Sequence, residues 1–182
     1  MFRRLRNQAF QPNPLQPALM QTLNQANRFV ANGQPGQAAP LFVQVAEAME
    51  ATAHPRRAAN LHAQAAHAYA DSHNPQLALA QARAALTLFI QNQMVQRTPV
   101  FYTNITRKLT NQGMPNAAAA LEKEFGSRVG PMPAPASPAA APRGRLPTNC
   151  TKCGAPIHTE DANWVDANTI ECDYCGSLIR SE

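Results

Sequence analysis

The four cysteines of this 182-residue chain form two Cys-x-x-Cys pairs near its C-terminus, Cys150 with Cys153 and Cys172 with Cys175. Eighteen residues separate the pairs, which is within the range typical of zinc sites. Each pair makes a turn that brings two thiolates to one side, and two facing turns give a tetrahedral cage that suits Zn²⁺. We therefore expect these residues to hold one structural zinc ion per chain, with no coordination position left for a substrate.

Two other interpretations of the cysteines stay open. A rubredoxin-like iron site uses the same four sulfurs, because the ligands alone do not choose the metal. A thiol–disulfide redox pair normally needs a Cys-x-x-Cys at the start of a helix beside a βαβ unit, and that pattern is absent from the sequence. His158 is a further candidate ligand, although four thiolates already complete a tetrahedral sphere.

The residues around the cysteines suggest a small β module. Gly154 and Gly176 each follow the second cysteine of a pair, where glycine permits the positive φ that such a turn needs. Short strands are expected at Ile157–His158, Asn163–Val165 and Thr169–Glu171. Residues 148–182 resemble the zinc ribbon family, since all four ligand positions and both glycines match. The resemblance implies a module that folds on its metal, with Trp164 either packed over the strands or exposed for a partner.

Residues 17–128 favour helix, because Ala and Gln are abundant there and β-branched residues are few. Prolines after short polar breaks restart the helix, and Asn74 and Thr98 are the expected N-caps before two of them. We expect six helices of about 14–20 residues. Apolar residues in the second helix recur at steps of three and four, which places them on one stripe: Ala38, Leu41, Phe42, Val45, Ala46 and Met49.

The breaks between helices recur along the chain. The stretches "GQPGQAA", "HNPQLA" and "GMPNAA" begin the second, fourth and sixth helices. With Ala39, Ala78 and Ala118 as equivalent positions, the spacing is 39 and then 40 residues. A fixed period of this size is the mark of stacked helix pairs.

The stretch "AAHAYADSHNPQLALAQARAALTL" resembles a tetratricopeptide repeat. The match lies at the small and aromatic positions of that repeat, Ala66, Tyr69, Ala78 and Ala85. The sequence departs from the family at His62, which stands at the repeat's Trp, and at Phe125, which stands at the second alanine of the third unit. The resemblance implies an α-hairpin solenoid with a concave surface for peptides or other domains.

The expected fold class is mainly α: a tetratricopeptide-like repeat joined to a small C-terminal β zinc ribbon. Residues 1–16 are a basic arm interrupted by prolines, and residues 129–147 are a Pro/Ala-rich linker with six prolines. Such a linker is extended and forms no core of its own. The predicted domains are therefore 1–16, 17–128, 129–147 and 148–182.

The charge is unevenly placed. Residues 1–147 carry fourteen Lys/Arg against five Asp/Glu, a balance of +9, whereas residues 148–182 carry two against six, a balance of −4. We expect a protein–protein interaction adaptor, in which the acidic ribbon can dock on the basic helical region and a protein or peptide is the partner. The alternatives are a nucleic-acid or ribosome-associated factor that uses the basic helices and, third, an electron-transfer protein.

The sequence offers few candidates for catalysis. Asp71 is the sole acidic residue between Glu50 and Glu122, and no phosphate loop or nucleophile elbow is present. We therefore expect no enzyme. No run of eighteen apolar residues exists, and "MFRRLRNQAF" lacks the apolar region of a secretory signal, so a cytoplasmic protein is expected. The basic pairs Arg56–Arg57 and Arg107–Lys108 are expected on solvated faces.

Overall fold

The computed structural model describes residues 16–131, 145–157, 163–166, 168–172, 174–175 and 177–181. The helical body consists of α1 (Pro17–Ala31), α2 (Pro35–Ala51), α3 (Pro55–Asp71), α4 (Pro75–Gln91), α5 (Arg97–Asn111) and α6 (Pro115–Phe125). The cysteine module, the described residues from 145 to 181, carries β1 (Asn163–Asp166), β2 (Thr169–Glu171) and β3 (Leu178–Arg180). The predicted class, mainly α with a small β module, is confirmed.

Two predicted segments fall largely outside the described residues. The predicted basic arm, 1–16, lies there except for Gln16, and residues 132–144 of the predicted linker lie there as well. Among the described residues, none of the helices combines the length and the apolar character needed to cross a membrane.

The helices repeat with a period of twenty residues. Residues with a left-handed backbone follow five successive helices at equal intervals: Gly33, Ala53, His73, Gln93 and Gly113. The residue after each one donates its N–H to the carbonyl five positions earlier, as His54 does to Met49 at 2.9 Å and Asn74 to Tyr69 at 2.9 Å. These are Schellman caps, which satisfy the carbonyls at a helix end and turn the chain back.

The predicted register of the repeat is wrong by one residue. Proline occupies the first turn of α2, α4 and α6 at Pro35, Pro75 and Pro115, forty residues apart. The residue that is equivalent to Ala78 is therefore Ala38 and not Ala39. Both residues are alanines and both are fully buried, so neither residue type nor burial distinguishes them.

Packing follows chain order. Each helix packs on the next one, and α3 also contacts α5 while α4 contacts α6. The odd-numbered helices α3 and α5 and the even-numbered helices α4 and α6 thus form two layers. Their core contains Leu86, Ile105 and Leu121, and α1–α3 enclose a second core around Leu23 and Phe42.

The two predicted N-caps differ in outcome. The Asn74 side chain accepts a hydrogen bond from the Leu77 N–H at 3.3 Å, so this prediction is confirmed. Thr98 lies inside α5, where its hydroxyl donates to the Met94 carbonyl at 2.9 Å. The prediction for Thr98 is wrong because a preceding turn at residues 95–96 lets the helix begin at Arg97.

The cysteine module is a three-stranded antiparallel sheet in the order β1-β2-β3. Trp164 pairs with Ile170 across β1 and β2, and Ile170 pairs with Ile179 across β2 and β3. The predictions for the first two of these strands are confirmed to within a residue. Of the strand expected at Ile157–His158, Ile157 is not part of a strand and His158 lies outside the described residues. The neighbouring Pro156 forms a single bridge with Asn149.

Candidate metal centre

The structure brings the four cysteines together. Cys150 and Cys153 lie in the turn that the Asn149–Pro156 bridge closes, and Cys172 and Cys175 lie between β2 and β3. All four side chains are buried, and their sulfur atoms lie within 4.8 Å of one another. Sγ of Cys150 is 3.8 Å from Sγ of Cys175, and Sγ of Cys153 is 3.8 Å from Sγ of Cys172.

These distances fit a metal better than a disulfide. A disulfide needs sulfur atoms about 2.0 Å apart, and the four cysteines are free thiols. A tetrahedron of thiolates with bonds of about 2.3 Å to Zn²⁺ has edges of about 3.8 Å. The donor set therefore fits a tetrahedral ion such as zinc, and all four cysteines would hold it.

Backbone hydrogen bonds shape both cysteine turns. The Cys150 N–H donates to the Ala155 carbonyl at 2.8 Å, and the Gly154 N–H donates back to the Cys150 carbonyl at 2.8 Å. The Cys172 N–H donates to the Ser177 carbonyl at 2.9 Å. Gly154 has a φ of +75°, which confirms the predicted reason for glycine there. Gly176, its predicted counterpart, lies outside the described residues.

The four thiols influence one another's protonation. Hydrogen bonding to Cys153, Cys172 and Cys175 lowers the pKa of Cys150. Contact with Cys150, together with burial, raises the pKa of Cys153 and of Cys172. Four adjacent buried thiolates repel one another, so a divalent cation would supply the charge that stabilises all of them at once.

Among the described residues, three polar side chains of the helical body contact the cysteine module, and the sequence marked none of them as a contact. Asn27 Nδ2 of α1 donates to the Cys153 carbonyl at 2.6 Å. Arg57 of α3 forms an ion pair with Glu171, and Gln64 Nε2 of α3 donates to the Tyr174 hydroxyl at 3.3 Å. The opposite net charges of the two regions favour such docking in the sequence but do not identify the residues that make it.

The expectation that Arg57 lies on a solvated face is wrong. The side chains of Arg57 and Glu171 are only 12% and 14% exposed. Arg56, its neighbour, is exposed and donates to the Asn92 carbonyl at 3.3 Å. The difference arises because adjacent positions on α3 face different elements, so a basic pair in the sequence does not act as one unit.

Other candidate residues are separate from the metal centre. His62 is buried between Glu50 and Gln81, and His67 lies beside Phe101. His67 and five residues of or next to α5 line a cavity of about 510 Å³: Asn104, Arg107, Lys108, Asn111 and Gln112. Buried His67 Nδ1 and Gln112 Oε1 lack hydrogen-bond partners within the described part of the chain.

Comparisons with known proteins identified no relative of this chain. No family model, no curated protein and no solved structure matched the chain. The resemblances to a zinc ribbon and to a tetratricopeptide repeat therefore depend on the residues quoted above and stay predictions.

Proposed function

We propose that this protein is a non-enzymatic adaptor for protein–protein interaction, built from a tetratricopeptide-like helical body and a C-terminal zinc ribbon. The observation that supports the zinc ribbon in this proposal is the cage of four buried sulfur atoms, with two cross-pair distances of 3.8 Å. One zinc ion in this cage is structural, because four thiolates complete its coordination. The proposal includes a cytoplasmic location, where glutathione keeps thiols reduced.

The odd-numbered helices supply the proposed binding face. Asn27 on α1 and Arg57 and Gln64 on α3 contact the cysteine module. The 510 Å³ cavity between α3 and α5 lies on the same layer. Its lining combines Arg107 and Lys108 with side-chain amides, a chemistry that suits an acidic or amide-rich peptide segment. In this proposal, the zinc ribbon docks on the helical body of the same chain.

Site-specific photocrosslinking tests the adaptor role. A photoreactive amino acid at Asn104, beside the cavity, is compared with one at Arg83 of α4, which pairs with Glu124 of α6 on the even-numbered layer. We expect a partner protein to crosslink to the photoreactive residue at position 104. The crosslink should be missing when the photoreactive residue is at position 83, and also when Arg107→Glu is combined with the photoreactive residue at position 104. Crosslinks to RNA that weaken steeply with salt would replace the adaptor by the nucleic-acid alternative.

A further inference from the structure

Hydrogen bonds from the helical body end on both cysteine turns. Asn27 donates to the carbonyl of Cys153 itself at 2.6 Å. Arg57 pairs with Glu171, the residue before Cys172. Gln64 donates to the hydroxyl of Tyr174, which lies between Cys172 and Cys175, at 3.3 Å. Each of these three contacts therefore lies on a cysteine or one residue from it.

Close packing accompanies these hydrogen bonds. A Cβ atom at Gly154 would lie 3.5 Å from Asn27 Cβ, so the first cysteine turn rests directly against α1. Besides the cysteines, four side chains of the module belong to the same buried cluster as Leu23 and Ala26 of α1: Ala155, Ile170, Tyr174 and Ile179. The helices thus contact the module while its two turns hold the four sulfur atoms together.

The arrangement of the turns depends on the sulfur cage. A module of this size has too small an apolar core to fold alone, so a bound metal contributes its folding free energy. Contacts that require the folded turns then favour the metal-bound form over the metal-free one. By thermodynamic linkage, such contacts raise the affinity for metal by the same factor by which metal favours docking.

We propose that α1 and α3 form a binding surface specific for the metal-loaded form of the chain's own cysteine module. This inference rests on the proposed zinc ribbon. Asn27, Arg57 and Gln64 are positioning residues for the metal centre although none of them is a ligand. Loss of the metal releases the module and uncovers the part of α1 and α3 that these residues mark, so the helical body distinguishes the metal state of its own C-terminus.

A zinc competition titration on the full chain tests the coupling. The zinc affinity of wild type is compared with that of Asn27→Ala and Arg57→Ala, using a chromophoric chelator as competitor. We expect each substitution to weaken zinc binding by about 5- to 50-fold, the range of a moderate coupling between sites. Arg83→Ala, which removes an exposed ion pair with Glu124 away from the module, is the matched control and is expected to change the affinity less than twofold.

A charge reversal covers the case in which a truncated side chain disturbs α3. Arg57→Glu is expected to weaken zinc binding, and adding Glu171→Arg is expected to restore part of it, while far-UV circular dichroism stays unchanged. Failure of the second substitution to restore any affinity overturns the proposed coupling.

The remaining outcomes separate this inference from the proposed function. Equal zinc affinities in wild type, Asn27→Ala and Arg57→Ala would overturn the coupling and leave the zinc ribbon standing. Absence of zinc binding by wild type would overturn the zinc ribbon itself. Zinc affinity that rises with protein concentration, with dimers in light scattering, would show docking on a second copy and overturn docking within one chain.

Discussion

His62 Nε2 lies 2.7 Å from Oε1 of Glu50, so a histidine of α3 is bonded to the last turn of α2. On its other side, His62 Nδ1 lies 2.6 Å from Oε1 of Gln81 in α4. The imidazole is buried whereas the Glu50 side chain is 45% exposed. One polar side chain thereby joins three consecutive helices where the resembled repeat has a Trp.

We expect His62→Ala to destabilise the helical body by about 2–4 kcal/mol, because it leaves a cavity and removes both hydrogen bonds. His62→Gln is expected to cost less, since an amide of similar reach keeps one of the two bonds. Urea unfolding followed by circular dichroism measures both changes. Equal stability of His62→Ala and wild type would show that the two hydrogen bonds of His62 contribute nothing to the stability of the helical body.

Because left-handed residues recur every twenty positions, we expect glycine to be favourable at each of them. Introducing a glycine there should raise the stability of the protein, and removing one should lower it. His73 has a φ of +55° and is exposed, so His73→Gly is expected to stabilise the protein by up to about 1 kcal/mol. Gly33 and Gly113 have φ values of +71° and +76°, and a Cβ there would meet nothing within 4 Å. Gly113→Ala is therefore expected to cost about 1 kcal/mol through backbone strain alone. Thermal unfolding checks both signs, and destabilisation by His73→Gly would contradict this account of the caps.

Acid is expected to destabilise the helical body through His67. Burial lowers the pKa of His67 from 6.5 to about 4, with a smaller contribution from Lys108 and an opposing one from Asp71. Because the folded pKa lies below the unfolded one, the unfolded state takes up a proton first as the pH falls. The contribution to stability is therefore full above about pH 6.5 and is lost towards pH 4, a change of about 1–3 kcal/mol.

His67→Leu should remove that part of the pH dependence. The measurement is the free energy of unfolding in urea at pH 7 and at pH 4.5, for wild type and for the variant. The difference between the two proteins isolates His67 from the carboxylates that also titrate in this range. The same loss of stability in both proteins would show that His67 is not responsible.

Cys172→Ser is expected to abolish stoichiometric zinc binding and to leave the helices folded. Among the described residues, none from the cysteine module belongs to the core that includes Leu86, Ile105 and Leu121. Hydrogen exchange should therefore accelerate in β2 and β3 but not in α4–α6. Thr151→Ser is the control, because Thr151 is exposed in the first cysteine turn and the variant keeps all four thiols. Loss of helical circular dichroism in Cys172→Ser would contradict this independence.

The helices were predictable because their signals are local. Proline in the first turn and a polar break before it determine where α2, α3, α4 and α6 begin. The clustering of the four cysteines was equally predictable, since two Cys-x-x-Cys pairs eighteen residues apart are typical of one metal site. The register of the repeat was missed because Ala38 and Ala39 are both alanine and both buried, although Pro35, Pro75 and Pro115 mark a forty-residue spacing in the sequence. The left-handed residues Ala53, His73 and Gln93 gave no comparable signal, because none of them is a glycine.

The residue pairs that join distant segments could not be predicted. Arg57 and Glu171 are 114 positions apart, and nothing near either residue names the other. The third strand, β3, has only three residues, of which Ile179 alone is buried, so its pairing with β2 and not its own pattern makes it a strand. Threonine is a common N-cap residue, yet the turn before Thr98 places this residue inside α5.

The most direct test of the whole account is the metal content of the full chain, purified without added metal. Inductively coupled plasma mass spectrometry would measure zinc and iron per chain, and an absorption spectrum would accompany it. The account predicts one zinc per chain and no absorption in the visible range. Iron with visible absorption, or a chain without metal whose cysteines are paired in disulfides, would contradict it.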